Sequence, residues 1–170
     1  GWMTPCFAMP LPMPGLLLKS MKWMIDPEGP LYIKPVPSVL LMKWLTKFLT
    51  SMTQAQAETA IEALVKLSQV SLEGYRALSL EYPEIGFEKK GLLMVGQSAA
   101  GVKAAVDEMN LVDRHGIPGK QMSVEEIKAF EPSLTGHLEG GVYFPEEAHG
   151  EPLKVVQALA KKAQKLGVDL

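Results

Sequence analysis

Residues Gly140 to Leu170 read GGVYFPEEAHGEPLKVVQALAKKAQKLGVDL, and this stretch decides the kind of fold the chain carries. Val142-Tyr143-Phe144 is the β-branched and aromatic run of a strand, opened by Gly140-Gly141. Pro145 stops it, because proline cannot donate to a strand ladder. A polar loop follows, Glu146-Glu147-Ala148-His149-Gly150. Pro152 stands where a helix can start, since the first turn does not use its N–H groups. The helix runs to about Leu166 and Gly167 stops it. Val168-Asp169-Leu170 has the composition of a new strand. The result is a βαβ unit cut off in its second strand, as expected of a piece of something larger. The opening residue, Gly1 rather than Met, suits the same expectation.

Upstream, the order from residue 85 is strand, helix, strand, short helix, strand. Phe87 to Val95 reads as a strand with a turn at Gly91. Ser98 caps a helix to Arg114, stopped by Gly116. Gly119 to Met122 is a short strand, and Ser123 with Glu126 forms a capping box for a short helix ending at Glu131-Pro132. Before residue 83 the chain is helical. Thr53 and Gln56 cap a long helix in which Ala57, Ala60, Ile61, Leu64, Leu67, Ser71, Tyr75 and Leu78 keep one face. Ser38 caps another with Leu41, Trp44, Leu45 and Phe48 as its stripe, and Lys43 and Lys47 on the wet side. Leu17, Leu18, Met21, Met24 and Ile25 mark a third. The expected fold is α+β. Helices at 13–25, 38–52 and 53–82 precede a mixed or antiparallel sheet with strands near 87–95, 119–122 and 140–144, and the βαβ piece closes the chain.

Composition bounds the function. The 170 residues are enough for a real core, and 47% apolar content makes the chain globular. A net charge of −2 offers no electrostatic case for nucleic acid. One cysteine, Cys6, excludes an internal disulfide and permits a reducing cytoplasm. Lys19, Lys22 and the prolines break the N-terminal apolar run, so no transmembrane helix is expected. Charge is uneven: residues 1–50 hold five lysines against Asp26 and Glu28, and seven of the ten methionines lie in the first 52 residues. Such an end can face a membrane or a partner, or pack against the body of the fold. Both readings stay open at this point.

The residues alone define little chemistry. There is no G-x-G-x-x-G at a strand–helix junction, no P-loop lysine and no zinc spacing. His115 sits at a helix C-terminus, where a cation suits the dipole. His137 lies in a polar loop and reads as solvated. His149 lies between a strand end and a helix start, where ligands meet α/β sheets, with Glu146, Glu147 and Glu151 nearby.

The run GWMTPCFAMPLPMPGLLLKSMKWMIDPEGPLYIKP resembles a stretch of the FAD-dependent D-amino-acid dehydrogenases, within the D-amino-acid oxidase/glycine oxidase superfamily. Pro14-Gly15, Met21-Lys22-Trp23-Met24 and Pro30 to Pro35 carry the likeness. It continues in order through Gly91-Leu92-Leu93, Glu131-Pro132, Gly140 to Pro145, and His149-Gly150-Glu151-Pro152. The family's glycine-rich dinucleotide turn has no counterpart here.

The resemblance implies a substrate-domain segment over residues 1–145 and a partial FAD-domain βα crossover over 146–170. It implies oxidation of an amino acid by hydride transfer to FAD, with a quinone or dye as acceptor. It also implies a cytoplasmic location, with contact at the inner face of a membrane. Gly1, Trp2 and Met3 would lie nearest the flavin. Tyr143, His149, Glu146 and Glu147 would line the substrate pocket, with no metal. The isolated chain is expected to bind FAD weakly or not at all, and to dimerise through apolar surface left uncovered. A glycine-, sarcosine- or proline-type flavin oxidase is the alternative within the superfamily. A non-enzymatic helical module that docks on a membrane or partner is the alternative outside it.

Overall fold

Proline, glycine and capping serines punctuate the sequence, and the elements of the computed structural model fall between them. The structure describes residues 1–10, 13, 23–24, 26–28, 32–34 and 38–170. In chain order its elements are β1 (Trp2–Met3), α1 (Val39–Thr50), α2 (Gln54–Glu81), β2 (Leu92–Gly96), α3 (Ala99–Asp113), β3 (Lys120–Met122), α4 (Val124–Phe130), β4 (Gly140–Phe144), β5 (Ala148–His149) and α5 (Pro152–Lys165). The expected helix at 13–25 lies mostly outside the described residues, although Trp23 and Met24 are helical. The chain divides into two units, Met9–Leu64 and a larger one that joins Gly1–Ala8 to Val65–Leu170.

In the smaller unit, Ser38 Oγ accepts the N–H of Leu41 at 3.4 Å and starts α1. Trp44 stacks on Phe48, one turn later, at 5.2 Å between ring centres. Thr53 Oγ1 accepts the N–H of Gln56 at 3.3 Å and starts α2. That helix has 28 residues, about 42 Å at 1.5 Å per residue. Ala57 and Ile61 are its buried positions in this unit.

The larger unit is built on a three-stranded antiparallel sheet in the order β2-β4-β3. Leu93 faces Tyr143, and Tyr143 faces Lys120 on the other side. Ser98 Oγ accepts the Gly101 N–H at 3.2 Å to start α3. At α4 both arms of the capping box are made: Ser123 N–H to Glu126 Oε2 at 2.9 Å, and Glu126 N–H to Ser123 Oγ at 3.2 Å. One core cluster gathers Met122, Ile127 and Leu138, with Leu93, Val124, Leu134 and Tyr143 packed on it. A second gathers Leu78, Tyr82, Ile85, Val155 and Ala158, and joins the C-terminal half of α2 to α5. Outside that second cluster, α5 adds a row of exposed ion pairs: Lys162 to Glu81 at 2.6 Å, Lys161 to Glu84 at 3.5 Å and Lys165 to Glu81 at 4.0 Å.

Among the described residues the sheet is antiparallel, one of the two forms expected. Two expectations need correction. The strand expected at 87–95 is a strand only over Leu92–Gly96. Gly91 turns the chain with φ of 77°, and its Cβ position is filled by the Tyr143 ring, so residues 87–90 leave the sheet. Glu88 makes an isolated bridge to His149 instead. Lastly, the βαβ unit is not completed here: residues 168–170 form no strand and pair with none among the described residues. The loop before α5 holds the strand that was not expected, β5, which pairs antiparallel with β1.

Gly141 sits at the centre of β4 opposite Val95, where a Cβ would lie 2.3 Å from the backbone oxygen of Met94. That oxygen belongs to the sheet itself and cannot swing aside. Gly141→Ala is expected to cost about 2 kcal/mol or more in urea unfolding, because the strands must part to admit a methyl group.

Candidate functional site

The site begins with backbone. Two residues are too few to hold a strand, yet β5 is tied on both edges. On one edge Trp2 pairs with His149 and Met3 with Ala148. On the other, the Glu88 N–H donates to the His149 carbonyl at 2.9 Å, and the His149 N–H donates to the Glu88 carbonyl at 3.0 Å. The terminal amine of Gly1 donates to the Gly150 carbonyl, and the Gly150 N–H returns to the Gly1 carbonyl at 3.0 Å. The Trp2 indole lies beside the His149 imidazole at 6.1 Å, tilted by 56°. These pairs draw Gly1 against the start of α5, where a Cβ on Gly1 would stand 3.0 Å from Pro152.

A cleft of about 560 Å³ opens beside that junction. Gly1 to Pro5 form one wall. Leu67, Ser68, Ser71, Leu72 and Tyr75 of α2 form the second, and Gly150, Pro152, Val155 and Val156 the third. The lining is mainly carbon, with the hydroxyls of Thr4, Ser68 and Ser71 and the backbone of Gly1 and Gly150 as polar points. Among the described residues no lysine, arginine or carboxylate side chain lines it. Its size is within the usual range for a small-molecule site.

Behind the Thr4–Pro5 wall lies a buried polar pair. Cys6 sits in a 3-10 turn, Pro5–Phe7, and is 3% exposed. Its N–H donates to Glu147 Oε1 at 3.0 Å. Glu147 is fully buried, and its Oε2 has no hydrogen-bond partner among the described residues. Its carbonyl accepts the Gly91 N–H at 2.9 Å. Burial disfavours the charged form and pushes the Glu147 carboxyl up to about 7, while the hydrogen bonds from Cys6 pull the other way. Burial and the neighbouring carboxyl together push the Cys6 thiol well above the ordinary thiol range.

The residues singled out in the sequence are thus placed as follows. Gly1, Trp2 and Met3 line the cleft, and His149 stands beside it as their strand partner. Glu147 is behind the wall. Glu146 is on the surface, paired with Lys89. Tyr143 is in the other sheet: its hydroxyl donates to the Lys90 carbonyl at 3.0 Å and its ring packs on Phe130 at 4.9 Å. His137, expected in solvent, is exposed and hydrogen-bonded to Glu139 at 2.8 Å. Sequence reasoning passed over Thr4, Ser68 and Ser71. Ser71 carried a signal, since it interrupts the apolar stripe of α2 with a hydroxyl. Among the described residues no group of three His, Cys, Asp or Glu side chains is placed to hold a metal ion, and no helix is long and apolar enough to cross a membrane.

The comparisons agree on one class. Residues 39–170 match the FAD dependent oxidoreductase (DAO) family, so the chain belongs to that family. It is 31% identical over 173 residues to a D-amino acid dehydrogenase of Neisseria meningitidis (serogroup C, strain FAM18), covering 99% of this chain and 40% of that protein. A D-amino acid dehydrogenase of Bradyrhizobium diazoefficiens is 29% identical over 175 residues, with 99% and 41% covered. The chain therefore spans about 40% of the length of these curated relatives. Among solved structures it is similar to the L-proline dehydrogenase from P. horikoshii, with a TM-score of 0.56, 26% identity, and 62% of this chain and 28% of that one covered. It is also similar to the glycine oxidase from Geobacillus kaustophilus, with a TM-score of 0.53, 25% identity, and 57% and 28% covered.

Two outcomes follow from the buried pair. An unfolded glutamate ionises near pH 4.5 and this one near 7, so between those values the folded chain keeps a proton that the unfolded chain has lost. The contribution of Glu147 to stability is full below about pH 4.5 and is lost as pH rises through 7, by on the order of 3 kcal/mol at the upper limit. Thermal melts from pH 4.5 to 8 should show that fall, and Glu147→Gln should flatten this contribution. Cys6 should resist iodoacetamide in the native chain and react once urea unfolds it; rapid native alkylation would contradict its burial.

Proposed function

We propose that this chain supplies one wall of the flavin and substrate site of an FAD-dependent enzyme that oxidises D-amino acids. The observation that carries the reading is the cleft at Gly1–Pro5 and Gly150–Pro152, in a chain of the FAD dependent oxidoreductase family. Its chemistry suits a planar, mainly apolar ring. Leu67, Leu72, Pro152 and Val155 offer carbon surface, and hydroxyls and backbone groups stand around them. It does not suit a pyrophosphate, since among the described residues no lysine or arginine side chain lines it and no glycine-rich turn opens a helix there. Gly1, Trp2 and Met3 would hold the ring by backbone position. His149 stands against Trp2 at that wall, and Tyr75 lines the cleft from α2. Tyr143, Glu146 and Glu147 are engaged by Lys90, Lys89 and Cys6, and their part is to keep the walls in place.

FAD, when bound, would supply a two-electron acceptor. The amino acid would give up a hydride from Cα and a proton from its nitrogen, water would hydrolyse the resulting imino acid to a keto acid and ammonia, and a quinone or dye would take the electrons away. The chain's residues contribute orientation and exclusion of water. In this reading residues 1–145 belong to the substrate domain and 146–170 to the flavin-domain crossover. Flavin absorbance near 450 nm and dye reduction with D-alanine test it. The expected result is weak or no FAD binding by the 170-residue chain, and binding with turnover by a version extended at both ends to the length of its relatives. If the extended version binds no flavin, the reading fails. Turnover of glycine, sarcosine or proline in place of D-alanine would select the related oxidase chemistry.

A second reading concerns α1. Val39, Leu40, Met42, Trp44 and Leu49 are exposed there, with Lys43 and Lys47 one turn apart and no acidic residue between 39 and 50. Such a face suits an anionic bilayer, as expected of a peripheral enzyme that delivers electrons to a quinone at the cytoplasmic side. Co-sedimentation with vesicles of phosphatidylcholine and phosphatidylglycerol should be salt-sensitive and should drop at least fivefold in Lys43→Glu/Lys47→Glu. Absence of vesicle binding, with a dimer by light scattering, would assign the face to a second copy instead.

A further inference from the structure

The Glu147 carboxyl is used by nothing in the reading above except the wall it supports, yet it is fully buried and half-satisfied. A chain does not bury an acid in this way without cost, because a buried polar group lacking partners loses its hydration and gains nothing in return. The geometry points to Glu147 as the positioning residue of the cleft: it locks the Thr4–Pro5 wall by accepting the Cys6 N–H, while its own backbone is locked to Gly91. This inference rests on the reading that the cleft is the enzyme's site, and its test does not use flavin or turnover.

The pairing of β1 with β5 ends at Met3. Beyond it, Thr4 to Ala8 run without a strand partner, and the next backbone tie across the chain is the Cys6 N–H to Glu147 Oε1 at 3.0 Å. On the other side, the Glu147 carbonyl accepts the N–H of Gly91 at 2.9 Å. Gly91 can present that N–H because it adopts φ of 77°, in a space already taken by the Tyr143 ring. So a single residue joins the turn that leaves the main sheet to the segment that forms the cleft wall. A leucine would fill the same volume and make neither a buried acceptor nor a tie. A glutamine would keep the acceptor and carry no charge.

Amide hydrogen exchange at Cys6 and Phe7, measured on the 170-residue chain and divided by the intrinsic rate at each pH, reads the lock directly. Glu147→Leu should lower Cys6 protection at least tenfold, while Glu147→Gln keeps it within twofold of the parent chain. Exchange in β4 serves as the internal reference, so a general loss of fold is told apart from a loose wall. Equal protection in Glu147→Leu and the parent would overturn the proposal, as would loss in Glu147→Gln with retention in Glu147→Leu. Should the extended protein fail to bind flavin, these exchange rates still stand or fall by themselves.

Discussion

The larger unit depends on satisfying both edges of a two-residue strand. Buried backbone N–H and C=O groups must find partners, and Ala148 and His149 have none within their own loop. They find them in Trp2 and Met3 on one side and in Glu88 on the other. That requirement brings residue 1 to residue 150 and fixes where α5 begins. The cleft is a by-product: the strand pair stands off from α2, and small or hydroxylated residues at Ser68 and Ser71 leave the space open. The pairing also needs residues 87–90 to quit the main sheet. Gly91 permits this, and Tyr143 fills the room beside it.

Much of this organisation could be read from the chain, and the reasons are specific. Ser38, Ser98 and the Ser123–Glu126 box are local signals, and each cap forms as expected because its partner lies three residues away. The stripe of α2 from Ala57 to Leu78 spans about six turns, long enough for its period to dominate. β4 was legible because Val142-Tyr143-Phe144 is bounded by glycine and proline. The ordered likeness to the FAD-dependent dehydrogenases was legible too, and the family match bears it out over residues 39–170.

What escaped was non-local or too short. β5 has two residues, and no alternation can be seen in two. Glu146-Glu147 reads as two adjacent acids of one polar loop, yet one is on the surface and the other is enclosed by Cys6, which lies 141 positions away. Nothing in the spacing of Cys6 announces that partner. Residues 168–170 have strand composition, but composition cannot supply a neighbouring strand to pair with. The turn at Gly91 was legible within Phe87 to Val95, but nothing local shows that Glu88 beyond it pairs with His149 instead of continuing the sheet.

The ion pairs along α5 have a consequence of another kind. Lys161, Lys162 and Lys165 reach Glu81 and Glu84 from exposed positions, and pairs of that sort contribute little to stability. The helix is seated by Val155 and Ala158 against Leu78, Tyr82 and Ile85. Its outer charges are therefore free to drift: lineages living in brine, acid or heat could rewrite that row residue by residue, and the wall facing the cleft would keep its shape.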